Sequence, residues 1–259
     1  MIEQKIPLFH SGNILKYEML ENLRDYAVNS SNLRYSGYSD GIIRGCDITT
    51  TESIIIIHQG ILIIEGVPVY ITEPVNVKYL PTNTVKCLVA RAGDIIVDRS
   101  YKKRQIDFIL INTEEKTEKD VEICRFRLQQ GAKLRYQYRN LEDMSTEFDT
   151  VCQVYAKWAA FKESTIAYDI LQIFAMEAEN SGISNNEDRV FLNQIYALNG
   201  ESLPGNCVRG YLTGKLGRTC MQYSAKEMYS GLVEALKNIK SGRPGSVAGR
   251  MHERRIIVD

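Results

Sequence analysis

Between Ser53 and Ile71 the chain reads SIIIIHQGILIIEGVPVYI, three short apolar runs broken only by His-Gln-Gly and Glu-Gly. Runs of four or five residues are too short for packed helices. Isoleucine and valine, branched at Cβ, are stiff in χ1 and fit a pleated surface better than a helix. The turn residues between the runs make each one a strand. GIIRGCDIT, VNVKYL, TVKCLVARA, DIIVD, IDFILIN and VEICRFRL extend the rhythm to about Leu128. Many short strands separated by turns predict a β-sandwich or barrel rather than alternating β-α units. Pro68 cannot donate to a ladder, so its strand is expected at an edge or a bulge. NTEEKTEKD reads as a charged, solvated hairpin tip between two of the strands.

The flanks read as helices. GNILKYEMLENLRDYA has Asn13 placed to cap and an apolar stripe through Leu15, Met19 or Leu20, Leu23 and Tyr26 or Ala27. That stripe is too narrow for a helix buried on all sides, so it is expected to lie on the sheet or on a neighbouring subunit. After Gly131 comes an Arg/Tyr-rich connector. STEFDTVCQVYAKWAAFKE then predicts a helix with Phe148, Val151 or Cys152, Tyr155 and Trp158 or Ala159 on one face. STIAYDILQIFAMEAEN follows with Ser164 or Thr165 as cap, then NEDRVFLNQIYALNG closed by Gly200. LPGNCVRGYL and SAKEMYSGLVEALKNIK are further helical segments. The expected fold is α+β: an N-terminal helix and arm over 1–34, a β-rich domain over 35–131, a connector over 132–143, a helical domain over 144–240 and a flexible basic tail over 241–259. The tail ends in IIVD, whose β-propensity suits addition to a neighbour's sheet.

Chemistry is harder to find. Lysine plus arginine balances aspartate plus glutamate at 32 each, so no overall field draws the chain to nucleic acid or to a membrane. The N-terminus lacks the basic and apolar regions of a secretory signal, so synthesis in the cytoplasm is expected. The six cysteines have no metal-ligand spacing and read as reduced, buried thiols. Cys46 with His58 is conceivable as a nucleophilic pair, but a hairpin between their strands would set His58 nearer Ile43. Asp94 and Asp98 bracket DIIVD too far apart for a shared proton. Gly214-Lys215 lacks the following Ser or Thr and the earlier glycine of a P-loop. Lys215, Arg218, Lys237, Lys240, Arg243, Arg250, Arg254 and Arg255 gather toward the C-terminus, where a solvated helix and a basic arm account for them better than nucleic acid. No catalytic, cofactor-binding or metal-ligating residue is nominated, and no cofactor is expected.

The motif order carries a resemblance. LFHSGNILKYEMLENLRDY, then YSDGIIRGCDIT, then IIIIHQGILIIEGVPVYI, over about residues 8–80, resembles the N-terminal region of tail and baseplate proteins of bacteriophages of Firmicutes and of related contractile, phage-tail-like particles. FDTVCQVYAKWA…ESTI is similar to the same group more distantly. The resemblance implies a non-enzymatic virion part of the tail baseplate. It would form a homo-oligomer, mate with other tail proteins or a receptor-binding fibre, and bind neither nucleic acid nor membrane. Two alternatives stay open: a glycan-binding module with Tyr35, Tyr38 and Tyr70 as stacking platforms, and a tail-associated cell-wall hydrolase.

Overall fold

The computed structural model describes residues 5–183, 185–217 and 223–242. Helix α1 (Tyr17–Arg34) leads into nine strands: β1 (Gly41–Gly45), β2 (Ile48–Thr50), β3 (Ile54–Ile57), β4 (Gly60–Ile64), β5 (Val67–Ile71), β6 (Val75–Lys78), β7 (Val85–Val97), β8 (Lys102–Asn112) and β9 (Val121–Arg127). Two short strands, β10 (Trp158–Ala160) and β11 (Glu163–Thr165), precede helices α2 (Tyr168–Asn180), α3 (Asn186–Tyr196), α4 (Gly205–Leu216) and α5 (Ala225–Lys240). The mixed α+β class read from the sequence holds.

The strands form three sheets, ordered β11-β10-β1-β4-β5, β2-β3-β6 and β8-β7-β9. Pro68 sits on β5 opposite Ile63, at the edge of the first sheet, as its missing N–H requires. The isoleucine run of β3 alternates: Ile55 and Ile57 are fully buried while Ile54 and Ile56 are half-buried. TVKCLVARA and DIIVD are not two strands but the single strand β7, with a register shift between Ala92 and Ile95. β9 pairs with β7 only from Val85 to Ala90, so the outer part of β7 and β8 is a two-stranded ribbon beyond the sheet.

NTEEKTEKD is not a hairpin tip. β8 and β9 lie on opposite sides of β7 and run parallel to each other, so the segment crosses the face of that strand, over Cys87 and Arg91. It is also anchored: the buried Asp120 carboxylate accepts two hydrogen bonds from Arg91, at 2.7 and 2.8 Å, and one from the Thr117 N–H. Arg91 holds that carboxyl down at about 2, against the opposing pull of burial.

The helix expected after residue 144 does not form. Arg125 and Cys152 exchange backbone hydrogen bonds at 2.9 and 2.7 Å, and Val151 N–H donates to the Arg135 carbonyl at 2.8 Å, so the segment runs extended between two neighbours. Val151, Cys152, Val154 and Ala156 are all buried. A stretch buried on every side has no polar face, and its apolar spacing fits a helix and an extended segment equally. Trp158–Ala160 then pairs parallel to β1 through Ile42 and antiparallel to β11. The first sheet therefore takes strands from both sides of the 132–143 connector. Gly41 permits the parallel contact, since a Cβ there would lie 2.5 Å from the Lys157 carbonyl oxygen. Ser164 and Thr165, read as helix caps, belong to β11, and α2 begins after Ala167 without a side-chain cap.

The later helices follow the sequence more closely. α5 carries a Ser224–Glu227 capping box and buries Met228, Leu232, Ala235, Leu236 and Ile239 at three-to-four spacing. α3 ends at Tyr196, and Gly200, with φ at +85°, lies in the turn beyond rather than at the cap. Phe174 of α2, Phe191 of α3 and Tyr211 of α4 pack together, the last two rings stacked at 4.0 Å. One apolar core runs continuously from the sheets into these helices.

Candidate docking surface and cleft

The residue pairs considered from sequence come apart. Cys46 is buried, and burial first, then the nearby Asp47 charge, pushes its thiol up to about 12. His58 turns to Thr49, with Nε2 2.8 Å from Oγ1, and its backbone N–H donates to the Asp47 carbonyl. It therefore lies across from Asp47 rather than Ile43, and no thiolate–imidazole pair exists. Asp98 closes the turn of the β7–β8 ribbon, accepting from the Ser100 and Tyr101 N–H groups and pairing with Lys103 at 2.7 Å. Asp94 sits at the register shift, so the two acids serve the ribbon and not a shared site.

Lys215 is buried inside the helical layer, its Nζ 2.6 Å from Asp188 Oδ2. Lys237 pairs with Glu142 at 2.8 Å and Lys240 with Glu177 at 2.6 Å. The described members of the basic cluster thus spend their charge within the chain. Arg218, Arg243, Arg250, Arg254, Arg255 and the IIVD terminus lie outside the described residues. Tyr35 and Tyr38 pack edge to face at 5.9 Å, and Tyr38 meets Phe161 at 6.2 Å. Tyr70 sits 2.5 Å, oxygen to oxygen, from Ser31 of α1. Tyr35 lies near both Tyr38 and Tyr70, and Tyr70 is half exposed.

Two features remain. The first is α1, which starts at Tyr17 with Lys16 at the cap position, so Asn13 does not cap it. Although it touches β5, none of its residues is buried. Leu20, Leu23, Tyr26 and Leu33 are exposed, and so are Ile6, Leu8, Phe9, Ile14 and Leu15 in the arm before it. Scattered single apolar residues are normal on a surface, but a helix and arm exposing this many together form a candidate docking surface among the described residues. The β7–β8 ribbon exposes Ile95, Ile96, Val97 and Tyr101 as well. Its base is tied down by Arg104, whose Nε donates to the Gly93 carbonyl at 3.0 Å and whose Nη2 pairs with Glu65.

The second feature is a cleft of about 1260 Å³ between the first sheet and α2. Asp47 enters it from the turn after β1, Gln153 from the extended segment and Asp169 from the first turn of α2. Tyr136, Trp158 and Tyr168 supply aromatic wall. Burial, then the Asp47 charge, pushes the Asp169 carboxyl up to about 6, with the Gln153 amide acting the other way. Gln153 is only 9% exposed, and its Oε1 has no hydrogen-bond partner. Sequence reasoning missed all three residues. The available signal was Gln153 itself, one amide inside the apolar run VCQVYA.

Among the described residues no cluster of three or more His, Cys, Asp or Glu side chains could hold a metal ion, and no helix is long and apolar enough to cross a membrane. No family model matches the chain, and no curated protein matches it in sequence. Three solved structures are similar over most of its length. A crystal structure of TssK shares 9% identity at a TM-score of 0.42, over 93% of this chain and 72% of that one. The TssK-TssF-TssG baseplate subcomplex of the type VI secretion system gives 9% and 0.38, over 92% of this chain and 100% of that one. The baseplate complex from the type VI secretion system gives 10% and 0.32, over 91% and 100%. All three fall below a TM-score of 0.5, a level at which neither fold nor function transfers.

Proposed function

We propose that this chain is a structural, non-enzymatic component of the baseplate of a phage tail or contractile phage-tail-like particle, assembled in several copies and mated to other tail proteins. The observation that carries the reading is α1 with its arm: apolar side chains that stay exposed although the helix touches β5, with none of the helix buried among the described residues. Burying a leucine side chain stabilises by about 1.5–3 kcal/mol relative to leaving it exposed. Leu20 and Leu23, each nearly half exposed, and Leu33, about three-quarters exposed, therefore leave roughly a few kcal/mol that burial under a second surface would release. The motif order over residues 8–80 supplies the kind of assembly, and attachment of a receptor-binding fibre is part of the same reading.

Light scattering on the full chain, alone and mixed with the other tail proteins of its particle, tests this. The expected result is a discrete oligomer or complex that the double substitution Leu20→Glu, Leu23→Glu dissolves while leaving the melting temperature of the chain unchanged. A monomer at high concentration that ignores those proteins, or a variant that still assembles, overturns it.

A further inference from the structure

The β7–β8 ribbon stands beyond its sheet with both edges open. β9 follows β7 only to Ala90, so from Arg91 to Val97 no described strand pairs with that side of β7, and β8 is the outer strand on the other side. Ile95, Ile96 and Val97 are 50%, 66% and 71% exposed. Neighbouring residues of a strand point to opposite faces, so three in succession put apolar surface on both faces of the ribbon. Open edges with apolar faces are a template for further strands, and a two-stranded ribbon alone is marginal in water. The charges are sorted by strand. β7 brings Asp94 and, at the turn, Asp98, whereas β8 brings Lys102, Lys103 and Arg104. Lys103 pairs with Asp98 and Arg104 with Glu65, but Asp94 and Lys102, both exposed, make no ion pair among the described residues.

We propose that copies of this chain meet at the ribbon, the β7 edge of one adding to the β8 edge of the next around a closed ring. This rests on the reading that the chain assembles in several copies, and it names where they join. Three choices of edge exist. β7 on β7 sets acids against acids and β8 on β8 sets cations against cations, and like charges on paired strands destabilise. Only β7 on β8 brings acid to base. The two strands of one ribbon are antiparallel, so ribbons related by rotation about a shared axis along their length pair antiparallel throughout. Closing the ring leaves neither edge open, with one apolar face turned to the interior. A foreign strand would fill one edge and leave the other. A lipid surface would cover the isoleucines but leave the edge N–H and C=O groups without partners.

Cross-linking of the full-length chain tests it. Asp94→Cys and Lys103→Cys chains, co-expressed and treated with a short bismaleimide, are expected to link position 94 of one copy to position 103 of another, located by peptide mass, faster than either variant links to itself. Light scattering gives the second readout. Ile96→Lys with Val97→Lys should raise the dissociation constant of the oligomer about tenfold or more at an unchanged melting temperature, because both side chains are exposed. Faster linking of 94 to 94 or of 103 to 103, an oligomer indifferent to the ribbon substitutions, or a monomeric parent overturns the proposal. So does a ribbon that binds phosphatidylglycerol vesicles while the chain stays monomeric. An oligomer that ignores the ribbon substitutions but dissolves with those in α1 overturns the ribbon contact and leaves the baseplate reading standing. A ribbon-linked ring indifferent to the other tail proteins supports the contact and counts against that reading.

Discussion

Replacing Lys215 by methionine should unfold the helical layer far more readily than its surface-like sequence context, GYLTGKLG, suggests. Lys215 and Asp188 are both buried, 2.6 Å apart, and Tyr211 donates to the other Asp188 oxygen at 2.9 Å. At that separation two unit charges attract by about 6 kcal/mol for an effective dielectric near 20. Taking two ions out of water costs several kcal/mol each, so the intact pair is close to neutral overall. Removing one partner is different. With methionine at 215, Asp188 keeps only the Tyr211 hydroxyl, and stranding a buried charge costs about 3–5 kcal/mol. For a chain of this size that is a fall in Tm of about 6–20 °C. The assay is thermal and urea unfolding followed by circular dichroism, on Lys215→Met, Asp188→Leu and the double variant. The double variant should recover most of the loss, because an apolar pair of similar volume replaces the ions. A Lys215→Met chain within about 1 kcal/mol of the parent, or a double variant as unstable as the single one, would refute the reasoning. Stabilisation by ATP that vanishes with Lys215→Met would instead restore the phosphate-binding role that the glycine-lysine spacing fails to support.

Acid sensitivity should follow Asp120. Its folded-state value near 2 lies below the ordinary carboxylate range, so its contribution is present above about pH 4 and is lost as pH falls toward 2. Arg91→Gln removes the group that holds it down and should move the onset of acid unfolding, measured as the urea midpoint against pH, to higher pH; an unchanged profile would show that Arg91 does not hold the carboxylate. Cys46, with its thiol raised to about 12, should resist iodoacetamide at pH 8 in the folded chain and react on unfolding. Rapid alkylation of native protein at Cys46, located by peptide mass, would reopen the nucleophile reading.

The legible parts of the sequence were those with one wet face. β3 alternates, α5 repeats at three-to-four spacing behind a Ser-x-x-Glu box, and Pro68 marks an edge; each pattern is a direct print of which side meets water. Residues 147–160 carry no such print. Val151, Cys152, Trp158 and Ala159 recur at a helical interval only because nearly every position between them is buried as well. Charge misled in the same way. The acids and lysines of NTEEKTEKD suggest solvent, yet Asp120 faces inward because Arg91, distant in sequence, meets it there. The cleft was illegible for a related reason. Asp47, Gln153 and Asp169 come from three separate segments, and only the packing of α2 over the first sheet brings them to one space.

The parallel pairing of Ile42 with Trp158 also sets a timetable for the nascent chain. β1 emerges from the ribosome early, with β4 available almost at once on one side. Its other edge stays vacant until the whole run of later strands and the extended segment has been translated. At about 5–20 residues per second, that edge waits on the order of ten seconds. During that interval an isoleucine-rich strand offers open backbone donors and acceptors to any neighbouring polysome product. Slowing translation between β9 and β10 should therefore raise the aggregated fraction of newly made chain, whereas mature protein, with that edge closed by β10, would be indifferent to it.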